Sequence, residues 1–280
     1  ESCGEKLDMA ELQEIWESKL EPVYPYRKAG PTVEKINGKL NAPAAPKIGV
    51  AKPKVIIPVF PGTNCEYDTA KAFARAGADP EILVIRNLTP ADVTASCEAL
   101  VKAIGESQIV MLPGGFSGGD EPDGSAKFIA SFFRSPAVTE AVRDLLQHRD
   151  GLMLGICNGF QALIKLGLVP YGDIRPITAY DPTLTFNTIG RHQSMLVRTR
   201  VASTGSPWLS HCDAGSEYEI AISHGEGRFV APQNVLDQLV ANGQVATQYV
   251  DLEGEPTMDQ RFNPNGSLLA IEGITSPDGR

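Results

Sequence analysis

The chain has 280 residues, 42% hydrophobic and 21% charged, long enough to bury a core without disulfide staples and too apolar for a disordered polymer. A net charge of −9 repels phosphate backbones and anionic bilayers, so neither nucleic acid nor a membrane surface is an expected partner. Five cysteines without paired short spacings or a His cluster exclude a disulfide framework and a metal site, and fit a reducing cytoplasm. No apolar run approaches the ~20 residues of a bilayer span.

Asp8 is placed to cap a short amphipathic helix in residues 1–20, with Leu12, Ile15, Trp16 and Leu20 at helical spacing. Residues 21–53 are rich in Pro, Gly, Ala and Lys and read as a linker. From Lys54 the pattern alternates. Strands are expected at 55–60, 81–85, 109–112 and 152–155, and helices after residue 65 and at 91–104, 125–147 and 158–166. Such alternation implies βαβ crossovers, hence an α/β fold with a mostly parallel, doubly wound sheet carrying helices on both faces. Beyond Tyr171, strand signals at 196–201, 218–223, 245–250 and 268–274, with a helix near 234–240, predict an antiparallel extension of the same domain.

Ligands of open parallel sheets bind beyond the carboxyl ends of the strands. After the fourth strand, Gly155-Ile156-Cys157-Asn158-Gly159 is a G-x-C-x-G form of the nucleophile elbow, a sharp strand-to-helix turn that would hold the sulfur at the tip of a central strand. The positive end of the following helix favours the thiolate. The backbone amide of Asn158 and one from the Gly114-Gly115 turn would form an oxyanion hole, which points to acyl transfer. Cys65 also follows a strand and opens a helix, but lacks flanking glycines and is expected in the site wall. Cys3, Cys97 and Cys212 fall in a tail, a helix and a polar loop. Among the four histidines, His148 precedes the fourth strand and lies at the wrong end of the sheet, and His192 and His211 have no orienting carboxylate nearby in sequence. His224 and Glu226, two apart at a strand end, could be a base and its orienter, a substrate-loop constellation, or an exposed polar turn.

At these residues, FPGTNCEYD (60–68), PGGFSGGD (113–120), GICNGFQ (155–161) and SHGEGRF (223–229), the sequence resembles the glutaminase domains of the phosphoribosylformylglycinamidine synthases, within the wider class I glutamine amidotransferases. The resemblance covers about residues 54–280. It implies hydrolysis of L-glutamine through a thioester on Cys157, with ammonia passed to an ATP-dependent synthetase of purine biosynthesis. It further implies that Gly114, Gly115 and Asn158 cradle the oxyanion, that Gln161 helps hold the glutamine, and that Asn187, Arg191 and the HGEGR stretch lie near the site or face the synthetase. ATP and Mg are expected in that synthetase, and no cofactor in this chain. Class I members carry their catalytic pair as a late His-x-Glu motif, which this sequence does not reach by Arg280. His224 and Glu226 are therefore read as the earlier family motif, residues 1–20 as the tail of a preceding synthetase region, and residues 54–280 as a glutaminase domain truncated at its C-terminus. The competing readings are a non-catalytic docking module and a general cysteine hydrolase of similar topology.

Overall fold

The computed structural model describes residues 6–23, 30–38, 49–116 and 126–280. Cys3, residues 24–29 and 39–48 of the expected linker, and the Ser117–Asp120 half of the PGGFSGGD motif lie outside them. Among the described residues, no helix is long and apolar enough to cross a membrane.

Four parallel strands form the first sheet: β1 (Lys54–Val59), β2 (Asp79–Val84), β3 (Ile109–Leu112) and β4 (Leu152–Gly155), in the order β2-β1-β3-β4. Side chains alternate across β1. Ile56 points to one face, where it joins Leu100, Phe133 and Leu166, and Val55 and Ile57 point to the other. Burying each such Ile or Leu stabilises the fold by roughly 1.5–3 kcal/mol. Pro58 has no N–H for a ladder, yet is tolerated between two neighbours because the β1–β3 register ends at Ile56 and only β2 continues alongside.

The helices α3 (Pro90–Glu106), α4 (Lys127–Phe133), α5 (Pro136–Arg143) and α6 (Asn158–Leu166) pack on the Ile56 face. The helix α2 (Glu66–Arg75) packs on the other. That second face is only partly covered: an apolar groove of about 400 Å³ remains open beside α2, lined by Phe73, Met111, Leu154 and Ile156.

The α/β class with an antiparallel extension of the domain is as expected, and the extension is a sheet of its own. The strands β6 (Gln193–Val201), β7 (Glu217–His224), β9 (Val245–Tyr249) and β10 (Ile271–Ile274) form a separate antiparallel sheet in the order β10-β9-β6-β7. Two short strands, β5 (Thr183–Thr185) and β8 (Arg228–Val230), pair only with each other. Val245, Ile271 and Ile274 of the second sheet share one core with Ile56 and the α6 side chains, so the two sheets belong to one packed unit. The expected placement of Cys157 beyond a central strand is accordingly corrected, since β4 is the edge strand of the described sheet.

The N-terminal helix α1 (Met9–Ser18) is capped by Asp8, whose carboxylate accepts from the amides of Ala10 and Glu11. None of its residues is buried: Met9, Ile15 and Trp16 are all more than half exposed. Part of the stretch read as linker is in fact packed. Val33 donates to the Pro256 carbonyl and Gly38 to that of Ala202. Ile36 is buried, and the buried Arg200 guanidinium donates to the Ile36 carbonyl (2.8 Å) and Asn37 Oδ1 (3.0 Å). Two apolar side chains, the buried Ile36 and the partly buried Val33, and a set of long-range hydrogen bonds fix this strap to the second sheet.

Candidate active site around Cys157

The elbow is built by two close approaches. A Cβ on Gly155 would stand 2.6 Å from the carbonyl of Gly159, and one on Gly159 would stand 2.0 Å from the Leu112 carbonyl oxygen. Only glycine lets α6 start this close to β3 and β4. Ile156 donates to Leu112 O and Gly159 to Ile156 O, closing the turn. Cys157 is left at φ 54°, ψ −109°, outside the regions that a β-carbon favours, at a cost of about 1–3 kcal/mol. It immediately precedes α6, so its sulfur stands at the positive end of that helix.

The loops after β1 and β3 close on the same point. An antiparallel bridge joins Thr63 to Gly115, its bonds running from the Asn64 amide to Gly114 O and from the Phe116 amide to Gly62 O. The amide of Gly115 itself therefore points away from the 62–64 strand. A Cβ on Gly114 would touch both Cys65 Sγ (3.3 Å) and Cys157 Cβ (3.5 Å). Gly114, Cys157 and Cys65 are thus neighbours, with Asn158 as the first residue of α6. Cys65 caps α2 without a side-chain bond to it, and its thiol donates to Asn64 Oδ1. Burial and the carboxylates of Asp68 and Glu66 push that thiol's pKa up, so it stays protonated, as suits a wall rather than a nucleophile.

A cavity of about 150 Å³ opens in front of Cys157, lined also by Gln161, His224, Glu226, Tyr249 and Glu272. Gln161 is buried and its amide is engaged at both ends: Asn158 Nδ2 donates to its Oε1 (2.9 Å), and its Nε2 donates to the Glu226 carbonyl (2.9 Å). The elbow helix is thereby tied to the 223–229 loop. Asn187 holds the other side of that loop. Its Nδ2 donates to the carbonyls of His224 (2.8 Å) and Arg191 (3.1 Å), and its Oδ1 accepts from the Gly227 amide (3.1 Å). Asn187, Arg191, His224 and Glu226 are brought together, with Asn187 and Arg191 behind the loop and His224 and Glu226 on the cavity.

His224 ends β7 and Glu226 lies beyond the strand, and both reach the cavity. Burial pushes the His224 pKa down, with His192 adding to the effect. Its Nδ1 is buried without a hydrogen-bond partner, so Glu226 does not orient it. The Glu226 carboxylate acts instead on Lys165, opposing the lowering of that amine's pKa by burial. Cys97 contacts Ser135 Oγ inside the α3 packing, His148 pairs with Asp144 on the surface, and His192 Nε2 bonds Ser223 Oγ; none of them lines the cavity. Among the cavity residues beyond the sequence expectation, two carry ionisable side chains, Tyr249 and Glu272. The charged residue in the otherwise apolar run Ala270-Ile271-Glu272-Gly273-Ile274 was the available signal.

Residues 52–280 match the family described as the CobB/CobQ-like glutamine amidotransferase domain. The chain belongs to this family. Its curated relatives include the phosphoribosylformylglycinamidine synthase subunit PurQ of Symbiobacterium thermophilum, 36% identical over 79% of this chain and 80% of the relative. That of Aquifex aeolicus is 33% identical over 81% and 86%. Among solved structures, PurLQS from Thermotoga maritima superposes with a TM-score of 0.57 at 24% identity, covering 81% of this chain and 84% of that one, which supports the fold. As a glutamine amidotransferase domain, the chain needs a nucleophile and an oxyanion site, and the elbow with the adjoining Gly114 bend has the form of both.

Proposed function

We propose that Cys157 is the nucleophile of a glutaminase that feeds phosphoribosylformylglycinamidine synthesis. The domain hydrolyses glutamine and supplies the ammonia that a synthetase uses to convert formylglycinamide ribonucleotide to formylglycinamidine ribonucleotide in purine biosynthesis. The Cys157 thiolate attacks the side-chain carbonyl carbon of glutamine, and the tetrahedral oxyanion is held by the amides of Asn158 and the Gly114-Gly115 bend. Collapse expels the nitrogen as ammonia, with a proton, and leaves a γ-glutamyl thioester. Water then cleaves the thioester to glutamate and returns the thiol. One lost oxyanion donor costs roughly 100–1000-fold in rate. Gln161 acts at the substrate and also joins the elbow to the 223–229 loop.

The observation that carries this reading is the left-handed backbone of Cys157 at the N-terminus of α6, with Gly114 against its Cβ. Acid quenching of the chain with glutamine, followed by peptide mass spectrometry, tests it. A γ-glutamyl adduct on the Cys157 peptide is expected, and none in Cys157→Ala. An adduct elsewhere, or none in either protein, refutes it.

The same reading makes residues 1–20 the tail of a synthetase region in the same chain, residues 21–53 its connection, and ATP and Mg ligands of that synthetase. The exposed apolar residues of α1 support a docking role alongside catalysis. Among the described residues Cys65, Cys97, Cys157 and Cys212 form no disulfide, which favours a cytoplasmic setting.

A further inference from the structure

Glu272 is the member of the Cys157 cavity that the glutaminase reading leaves without a task. It sits on β10, and Thr247 Oγ1 donates to one of its carboxylate oxygens. Among the described residues it makes no ion pair, and its pKa is raised by burial, with only the Thr247 bond opposing. Tyr249 links it to the nucleophile. The phenol, buried and accepting from Asn265 Nδ2 (2.8 Å), has its pKa raised by burial first, then by the Glu272 carboxylate, and also by Cys157. Sulfur, phenol and carboxylate therefore share one small space.

Charge in that space is one-sided. Among the described residues no lysine or arginine lines the cavity, burial disfavours the charged form of His224, and the Glu226 carboxylate acts on Lys165 outside the lining. Glu272 is half-buried, and a carboxylate partly withdrawn from water without a cation beside it is a place where a ligand can supply the missing charge. The cavity also rejects a second carboxylate, so an amino-acid ligand would enter with its ammonium inward and its α-carboxylate away from Glu272.

We infer that Glu272 is a specificity-determining residue that recognises the α-ammonium group of the amino-acid substrate while its side-chain amide faces Cys157. The inference rests on the reading of Cys157 as the glutamine nucleophile. Glu272 selects for an amino acid over a simple amide of the same length, and Thr247 fixes the carboxylate for the task. A charge-assisted hydrogen bond of this kind is worth about ten-fold or more in affinity.

The test measures protection of Cys157 from iodoacetamide, read by peptide mass spectrometry, on the 280-residue chain. Two protectants are compared, L-glutamine and 5-amino-5-oxopentanoate, which keeps the amide and carboxylate but lacks the α-amino group. In the unmodified chain glutamine should protect at a concentration about ten-fold lower or more. In Glu272→Gln the glutamine midpoint should rise by about that factor while the desamino midpoint stays within about two-fold. Equal midpoints for the two compounds in the unmodified chain overturn the inference without need of a variant. So does an unchanged glutamine midpoint in Glu272→Gln, or an equal rise for both compounds, which marks a merely structural role. If neither compound protects Cys157 in the unmodified chain, the glutaminase reading itself fails and the inference with it.

Discussion

Replacing Gly159 by Ala probes the elbow with one methyl group. The new Cβ would stand 2.0 Å from Leu112 O, 2.7 Å from Leu112 C and 2.8 Å from Leu112 Cβ. Two of these atoms are backbone of β3, pinned in the parallel ladder with β4, so the helix must yield rather than the strand. Restoring an ordinary contact of 3.4 Å requires α6 to retreat by 3.4 − 2.0 = 1.4 Å. The retreat carries Cys157 and Asn158 away from Gly114. Overpacking of this kind costs about 1–3 kcal/mol of stability, and displacement of reacting groups by ~1 Å costs about 100-fold in rate. Gly159→Ala should therefore lower the urea midpoint and slow labelling of Cys157 by an electrophilic glutamine analogue about 100-fold. Gly105→Ala is the control, because nothing lies within 4 Å of its Cβ in the helix α3. That change should stabilise by roughly 0.5–1 kcal/mol and leave labelling alone. A Gly159→Ala protein with unaltered stability and labelling would refute the close approach of α6 to β3 and the account of the elbow built on it.

Asn187→Ala removes three side-chain hydrogen bonds at the root of the 223–229 loop. A loss of about 1–3 kcal/mol is expected in denaturant titration, with slower labelling by the glutamine analogue and little change toward iodoacetamide. On the proposal that Cys157 is the nucleophile, Cys65→Ser should leave Cys157 labelling within about three-fold; loss of labelling would reverse the two roles. His224, ordinarily titrating at 6.5, has a lower pKa in the folded chain because burial disfavours its charged form. Below pH 6.5 the unfolded chain therefore binds a proton that the folded chain refuses. Stability should fall as pH drops through this window, by up to about 1.4 kcal/mol per unit, and stop falling below the folded pKa. His224→Gln should flatten that part of a pH–stability profile measured between pH 5 and 7, and an unchanged slope would show that His224 is not the source.

Much of the parallel half was legible because its signals are local. The strands β3 and β4 and the helix α6 fall on the residues expected from β-rich runs closed by glycines, and the G-x-C-x-G turn carries its geometry within five residues. The second half hid its arrangement in long-range partners. Whether β6, β7, β9 and β10 extend the first sheet or form one of their own packed into the same core depends on contacts such as Ile271 with the α6 side, to which strand periodicity is blind. The strap at 30–38 looked like linker because Ile36 is its one buried large side chain, and the groups that hold it, Arg200 and Gln248, come more than 160 residues later. Glu272 is hidden for a related reason: on sequence a lone carboxylate in a strand reads as an exposed face, and only the approach of the second sheet to the elbow brings it to the Cys157 cavity. The 223–229 loop was expected at the site by resemblance. Gln161 from one side and Asn187 from the other hold it there through hydrogen bonds spanning 65 and 37 positions, which no local pattern reveals.

The most direct measurement of the central claim is the site at which an electrophilic glutamine analogue attaches, mapped by peptide mass spectrometry with and without excess L-glutamine. One adduct, confined to Cys157 and suppressed by glutamine, is the predicted result. Labelling of Cys65, or similar slow labelling of Cys65, Cys97, Cys157 and Cys212 that glutamine does not suppress, would contradict it.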